Sequence, residues 1–133
     1  MYKNSLRIKA KNVHELIEII KKGLPFSSFE ILCKQLGVSQ KEMASIVNIS
    51  PRTLSRRKKE GRLKFIESDK IFYIAIVIET ANRVLGGMDE SKRWFHTPVK
   101  SLGFRTPLEY CEYFIGLREV ENVLGRIEHG QAG

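Results

Sequence analysis

The sequence has few of the residues from which metal sites and disulfide frameworks are built. Its 133 residues include only two cysteines and three histidines, and no CxxC pair or Cys/His cluster has the spacing of metal ligands. Cys33 and Cys111 stand far apart inside apolar helical patterns, so we expect free, buried thiols and no disulfide. His14, His96 and His129 are isolated from one another. We therefore predict no metal and no cofactor.

Long apolar runs are also absent. The longest run, Ile71 to Ile78, lies between Lys70 and Glu79 and is far shorter than the ~20 residues of a membrane-spanning helix. The N-terminal residues 1–12 lack the apolar core of a signal peptide. The sequence therefore predicts a cytoplasmic protein with no membrane partner.

Motifs of enzyme chemistry are missing too. There is no nucleophile motif around a serine or cysteine, no catalytic pair of carboxylates and no glycine-rich loop that follows a strand. Hydrophobic residues make up 42% of the chain and charges of both signs are mixed, which favours a folded globular protein over a disordered one. We expect a binding protein and not an enzyme.

Charge is distributed unevenly along the chain. Residues 1–64 contain 15 Lys or Arg and 5 Asp or Glu, a net charge of +10, whereas residues 65–133 contain 8 and 10, a net charge of −2. The densest stretch, Arg52 to Lys64, has seven basic residues opposed only by Glu60. Such a stretch suits the phosphates of DNA, and the acidic half suggests a second partner of different character.

The stretch 39–60 predicts two short helices joined by a tight turn. Ser39 and Glu42 form a capping box, and Ser50 before Pro51 starts a second helix. The few residues left for the turn predict a helix-turn-helix of the Xre/Cro-like kind. Its expected apolar and small positions are Met43, Ala44, Val47, Ile49 and Leu54. The alternative is an ordinary helical hairpin with a solvated basic face.

Two positions depart from the usual helix-turn-helix pattern: the turn has Asn48 where glycine is common, and Arg57 stands where an apolar residue is expected. The front of the second helix should contact base edges, through Arg52, Thr53, Ser55 and Arg56. Phosphate contacts are expected from Gln40, Ser50, Arg57, Lys58, Lys59 and Arg62. Arg57 is therefore either a phosphate contact or a sign that the motif binds DNA atypically.

The remaining sequence predicts further helices. Residues 1–11 have the weak alternation of an extended arm. Helix signals then follow: from Asn12 to Gly23, from Ser27 or Ser28 to Gly37, over Asp89–His96, from Thr106 to Gly116, and over Glu119–Ile127. Trp94 and Phe95 are expected to be a core pair, and the tail from His129 is expected to be flexible.

Residues 65–85 form the most apolar part of the chain. The run from Ile71 to Ile78 has the composition of a buried strand, but its continuation without a turn signal to the pair Gly86–Gly87 favours a helix. A helix apolar on nearly all sides must be buried, as a central helix, a dimer contact or a plain core helix. We expect an all-α protein with an N-terminal region, residues 1–64, packed on a C-terminal helical region, residues 65–133.

From residue 27 to residue 130 the chain resembles the Xre/MbcA/ParS antitoxins, the partners of RES-domain toxins. The similarity lies in SPRTLSRRKKEGRL, in ESDKIFYIAIVIETANRVLGG and in WFHTPVKSLGFRTPLEYCEYFIGLREVENVLGRIEHG. The matching positions are Trp94, Pro98, Leu102, Gly103, Thr106, Pro107, Leu108, Gly116, Val120, Leu124, Arg126, Ile127, Glu128 and Gly130. Phe95 and Val99 differ from the leucine and asparagine that are usual in the family.

The resemblance implies a homodimeric antitoxin that binds its own promoter and silences a toxin that consumes NAD⁺ or transfers ADP-ribose from it. Its last residues would cover the toxin's NAD⁺ pocket, with Glu128 or the carboxylate of Gly133 in the pocket and Arg126 as an anchor. Implied toxin contacts are Trp94, Pro98, Arg126, Glu128, His129, Gly130 and Gly133. Arg126 and Glu128 on a merely solvated last turn remain an alternative. A transcription regulator without a toxin, and an interaction module with a vestigial helix-turn-helix, also remain open.

Overall fold

The computed structural model describes residues 6–131, and the predicted contact at Gly133 lies outside them. Within this range the fold is all-α, as predicted, with two isolated antiparallel bridges and no strand. The helices are α1 (Val13–Lys22), α2 (Phe26–Leu36), α3 (Gln40–Ile46), α4 (Pro51–Glu60), α5 (Phe65–Leu85), α6 (Met88–Phe95), α7 (Pro107–Tyr110) and α8 (Phe114–Glu128), with a 3-10 turn at Lys100–Leu102.

The chain divides into two compact units, one ending at Ile76 and the other beginning at Val77. The division falls inside α5, whereas the sequence suggested a boundary at residue 64, before this helix. In the first unit α2 packs on α3 and α3 on α4; in the second α6 packs on α7 and α7 on α8.

The helix starts that depend on side-chain capping lie where the sequence places them. Ser39 and Thr106 form complete capping boxes with Glu42 and Glu109. The Ser50 hydroxyl accepts a hydrogen bond from the Thr53 N–H at 3.1 Å. These contacts satisfy backbone N–H groups that have no partner within the helix.

Helix α2 begins earlier than the expected start at Ser27 or Ser28. Its N-cap is Pro25, and Ser28 is buried. The reason is tertiary: the Phe26 N–H donates to Gly61 O at 3.0 Å and the Leu63 N–H donates to Leu24 O at 2.8 Å. These bonds join the α1–α2 connection to the α4–α5 connection. They fix the start of α2, which has no side-chain cap.

The expected helix end at Gly116 and the expected start at Glu119 are both wrong. Helix α7 is a single turn, and α8 begins at Phe114 with Gly116 buried inside it. A Cβ atom on Gly116 would lie 2.0 Å from the Tyr110 carbonyl oxygen. Glycine is therefore needed at this position for close approach of two backbone segments, and not to end a helix.

Helix α5 is a single helix of 21 residues, as predicted, and most of its apolar side chains are buried within this one chain. This burial is that of a core helix. Of its large apolar side chains, only Phe65 and Ile66 at its start are exposed. Within residues 6–131 no single helix is long and apolar enough to span a membrane; α5 and α6, which meet at 114°, reach that length and composition only as a bent pair.

Both cysteines are free and buried, as the sequence predicted. Burial, with a smaller contribution from the nearby charge of Glu30, raises the pKa of the Cys33 thiol to about 11. The expected pairing of Trp94 and Phe95 is present as an edge-on contact with ring centroids 5.4 Å apart. Phe95 is fully buried, whereas Trp94 is only half-buried.

Candidate functional site

The turn between α3 and α4 is a hydrogen-bonded helix end. The Ile49 N–H donates to Ala44 O at 2.9 Å and the Asn48 N–H donates to Ser45 O at 3.2 Å. Asn48 has a φ of 61°, so it takes the left-handed position that glycine usually fills in a Schellman motif. Asparagine tolerates that conformation, which explains the first departure from the expected pattern.

The outer face of α4 presents cations to solvent. Arg52, Ser55, Arg56 and Lys59 are all exposed, and their spacing of three, four and seven residues places them on one side of the helix. Lys58 is exposed beside this stripe, and Leu54 is half-buried toward the interior. Helix α4 therefore presents a basic, solvent-exposed face.

Arg57 points the other way. It is only 8% exposed, and its guanidinium holds the Glu67 carboxylate with Nε to Oε1 at 2.7 Å and Nη2 to Oε2 at 3.0 Å. Nη1 also donates to Glu60 Oε1 at 3.3 Å. The position remains buried like the apolar residue it replaces. We therefore correct the expectation that Arg57 contacts phosphate. Arg57 instead forms a structural ion pair with Glu67.

Glu67 has two roles at the start of α5. Besides binding Arg57, its Oε1 accepts a hydrogen bond from the Lys64 N–H at 2.9 Å, which caps the helix. Burial by itself would raise the pKa of Glu67, but the hydrogen bonds from Arg57 and from the Lys64 backbone outweigh it and lower the pKa. The hydrogen bond to Glu67 raises the pKa of Arg57. The pair is therefore charged at neutral pH.

The other predicted DNA contacts lie around the basic stripe. Gln40 and Thr53 are half-buried, and Ser50 is exposed with its hydroxyl engaged as the α4 cap. Arg62 lies beyond the end of α4, and its Nη1 donates to Gly23 O at 2.6 Å. Arg62 therefore helps to join the two connections described above, and part of its guanidinium is committed within the protein.

In the second unit, the predicted partner contacts occupy two places. Trp94 and Pro98 lie at the end of α6, where Trp94 is half-buried and Pro98 exposed. Arg126 and Glu128 lie in the last turn of α8. Arg126 is 3.7 Å from Glu119 Oε1, and Glu128 forms an ion pair with Arg83 of α5.

His129, Gly130 and Gln131 were expected to be flexible, but they lie in a hydrogen-bonded turn. The Gln131 N–H donates to Arg126 O at 2.7 Å, the Gly130 N–H donates to Ile127 O at 3.1 Å, and Gly130 has a φ of 77°. This is again a Schellman end, which holds His129 and Gly130 in defined, exposed positions.

Sequence reasoning missed an exposed apolar surface in the second unit. Its members are Phe104, Tyr113, Phe114 and Ile115. A signal was present: three consecutive apolar residues at a helix start cannot all face one core, because neighbouring side chains point in different directions. Among residues 6–131 no group of three or more His, Cys, Asp or Glu is placed to hold a metal ion.

Comparison with known proteins agrees with both units. Residues 15–75 match the Antitoxin Xre-like helix-turn-helix domain, and residues 80–130 match the Antitoxin Xre/MbcA/ParS C-terminal toxin-binding domain. Antitoxin Xre of Yersinia enterocolitica is 32% identical over 118 residues, which cover 86% of this chain and 79% of the relative. Antitoxin Xre of Photorhabdus laumondii is 29% identical over 114 residues, covering 84% and 77%.

A solved structure shares the fold. The Mycobacterium tuberculosis MbcT–MbcA toxin–antitoxin complex contains a chain that superposes with a TM-score of 0.58 at 19% identity, covering 78% of this chain and 93% of that one. At this identity the match establishes the fold alone.

The fold and its surfaces define a helix-turn-helix protein with a second helical domain that binds another protein. More particularly, the chain belongs to the Xre family of antitoxins. It is the antitoxin of a toxin–antitoxin system, a binding protein and not an enzyme, and its C-terminal domain binds a toxin. This removes the alternative of a regulator without a toxin partner.

Proposed function

We propose that this antitoxin neutralises a RES-domain toxin, which consumes NAD⁺ or transfers ADP-ribose from it, by covering the toxin's active site. The observation that carries the proposal is the end of α8, where Glu128, His129 and Gly130 are exposed and Arg126 is half-buried in a hydrogen-bonded turn. A pocket that binds a dinucleotide pyrophosphate presents cations and N–H donors. Glu128 supplies the matching negative charge.

Glu128 must leave Arg83 to enter such a pocket. Both side chains of this pair are partly exposed, and an exposed ion pair contributes only about 0–1 kcal/mol. Replacing Arg83 with a cation of the toxin pocket as the partner of Glu128 therefore costs little free energy. Trp94 and Pro98 lie outside this tail and belong to the surrounding contact.

The neutralisation test is an NAD⁺-consumption assay with the RES-domain protein of the neighbouring reading frame. The full chain should suppress the activity at equimolar concentration, and a chain lacking residues 126–133 should bind the toxin yet leave it active. Glu128→Gln and Arg126→Ala separate the two charges, with circular dichroism as the folding control. Undiminished neutralisation by the shortened chain would overturn the blocking role of the tail.

We also propose that α4 binds the operon's own promoter and represses it. The support is the exposed stripe Arg52, Ser55, Arg56 and Lys59, together with a net charge of +10 in residues 1–64. In this proposal the base-edge contacts are Arg52, Thr53, Ser55 and Arg56. The phosphate contacts are Gln40, Ser50, Lys58, Lys59 and Arg62. A homodimer suits a two-fold operator, since each recognition helix then reads one half-site.

A gel shift on promoter DNA at physiological salt tests this second role. The protein should bind the promoter more tightly than a scrambled duplex of equal length. Sedimentation analysis of the complex gives two copies of the chain per operator if the homodimer is correct. Equal affinity for the two duplexes would leave the helix-turn-helix without a regulatory function.

A further inference from the structure

Phe104 combines two features that the fold does not require. Its φ is 62°, a left-handed conformation that is unfavourable for a bulky residue and easy for glycine. Its side chain is 68% exposed, so burial in the core does not offset the backbone strain. Strain of this kind, kept at an exposed aromatic residue, is typical of functional sites.

The backbone around Phe104 holds this conformation in place. The Phe104 N–H donates to Val99 O at 3.0 Å, and Val99 and Arg105 form an antiparallel bridge. The Val99 N–H also donates to Arg105 O at 3.0 Å. Phe104 therefore lies within a closed, hydrogen-bonded loop, next to its bridge residue Arg105.

A second group of exposed apolar side chains lies at the start of α8. Tyr113, Phe114 and Ile115 at the start of α8 are all exposed, Ile115 by 82%. Leu117, Val120 and Leu124 form the buried side of α8, and Ile115 is two residues, about 200° of helical rotation, away from Leu117. Because Leu117 faces the core, Ile115 points to solvent on the opposite side of the helix.

Part of the second group lines a groove that also reaches the residue after Phe104. Tyr113 and Ile115 line an open groove of about 580 Å³ together with Arg105, the residue that follows Phe104. Glu109 and Glu112 complete its rim. Exposed apolar side chains beside a polar rim are typical of a protein–protein contact.

We infer that the antitoxin holds its toxin through an apolar anchor, formed by Phe104, Tyr113, Phe114 and Ile115. This anchor is separate from the tail that covers the toxin's active site. All four lie within the toxin-binding region 80–130, and the carboxylates of the rim disfavour DNA as the occupant. Aromatic side chains at the centre of a contact supply a large share of binding energy. The inference deepens the proposed toxin neutralisation, but it depends only on the presence of a toxin and not on its RES identity.

The experiment measures the dissociation constant for the toxin encoded in the neighbouring reading frame, using the full antitoxin chain. The variants are Phe104→Gly and Ile115→Ser. Ile66→Ser is the matched control, because Ile66 is 76% exposed and lies in the first unit. Each anchor variant should raise Kd at least about tenfold, the effect of losing a hot-spot side chain, and the control should change it less than about twofold.

Phe104→Gly separates binding from folding. Glycine relieves the positive φ, so the thermal midpoint of this variant should equal or exceed that of the unchanged protein while toxin affinity falls. If Phe104 had a structural role, Phe104→Gly would instead lower the thermal midpoint. A lower midpoint with unchanged toxin affinity overturns the inference.

Two further outcomes are decisive. Unchanged toxin Kd in both anchor variants refutes the anchor, and so does a change from dimer to monomer in sedimentation with toxin affinity retained, since the surface would then cover a second copy of this chain. If the toxin proves not to be a RES-domain enzyme, the proposed neutralisation fails while the comparison of Kd values still tests the anchor.

Discussion

Arg57 of the recognition helix α4 and Glu67 of α5 form a buried, two-point ion pair, with N–O distances of 2.7 and 3.0 Å. Glu67 also caps the helix that follows. The pair fixes the back of α4, while the exposed cations of its front face solvent. The structural charge of Arg57 and the exposed charges proposed to bind DNA are thus on opposite sides of one short helix, and they can be tested separately.

Arg57→Ala should lower the free energy of unfolding by about 3 kcal/mol, because it leaves the Glu67 carboxylate buried without its partner. Arg56→Ala is the matched control: Arg56 is adjacent and exposed, and its loss should cost less than ~0.5 kcal/mol. Urea unfolding followed by circular dichroism measures both. Equal stability of the two variants would falsify the structural assignment of Arg57.

The contribution of Glu67 should depend on pH in a defined direction. Its pKa is lowered in the folded protein from the ordinary 4.5, so its stabilising effect is complete above that value and is lost as the pH falls through the lower, folded pKa. The difference in unfolding free energy between the unchanged protein and Glu67→Gln should therefore shrink as the pH falls below 4.5. A gap between the two proteins that stays constant from pH 7 to pH 3 contradicts this prediction.

The salt dependence of DNA binding should distinguish the two faces of α4. Lys59→Ala should reduce the slope of log K against log salt by about 0.9, the value for one lost phosphate contact. Arg57→Ala, measured at a temperature where it is folded, should leave the slope unchanged. Arg52→Ala should relax preference at one base step, and equal losses on promoter and random DNA would remove Arg52 from the base-reading set.

The two glycines of α8 should respond oppositely to alanine. Gly116→Ala places a Cβ 2.0 Å from the Tyr110 carbonyl oxygen, so α7 and α8 must separate and the cost should be about 1–3 kcal/mol. Gly125→Ala meets no atom within 4 Å and should stabilise the helix by about 0.5–1 kcal/mol. Chemical unfolding of both variants gives the comparison, and a stabilised Gly116→Ala protein would show that the close approach is not required.

The sequence by itself determined the features that arise from neighbouring residues. Ser39 with Glu42, Ser50 with Pro51, and Thr106 with Glu109 start helices because each cap is made within three residues. The length of α5 followed from its continuous pattern and its double-glycine end, and the charge difference between the two halves is a property of composition. Family membership followed as well, since it depends on the order of motif residues.

Only the tertiary structure decided the features made by segments distant in the chain. The direction of Arg57 depends on Glu67, the start of α2 depends on bonds to residues 61–63, and Gly116 continues a helix because Tyr110 lies against it. The exposure of Phe104 and Ile115 likewise depends on which neighbours the fold leaves out. The physical reason is the same in each case: periodicity and capping act within one or two helical turns, whereas burial is set by whatever the rest of the chain brings alongside.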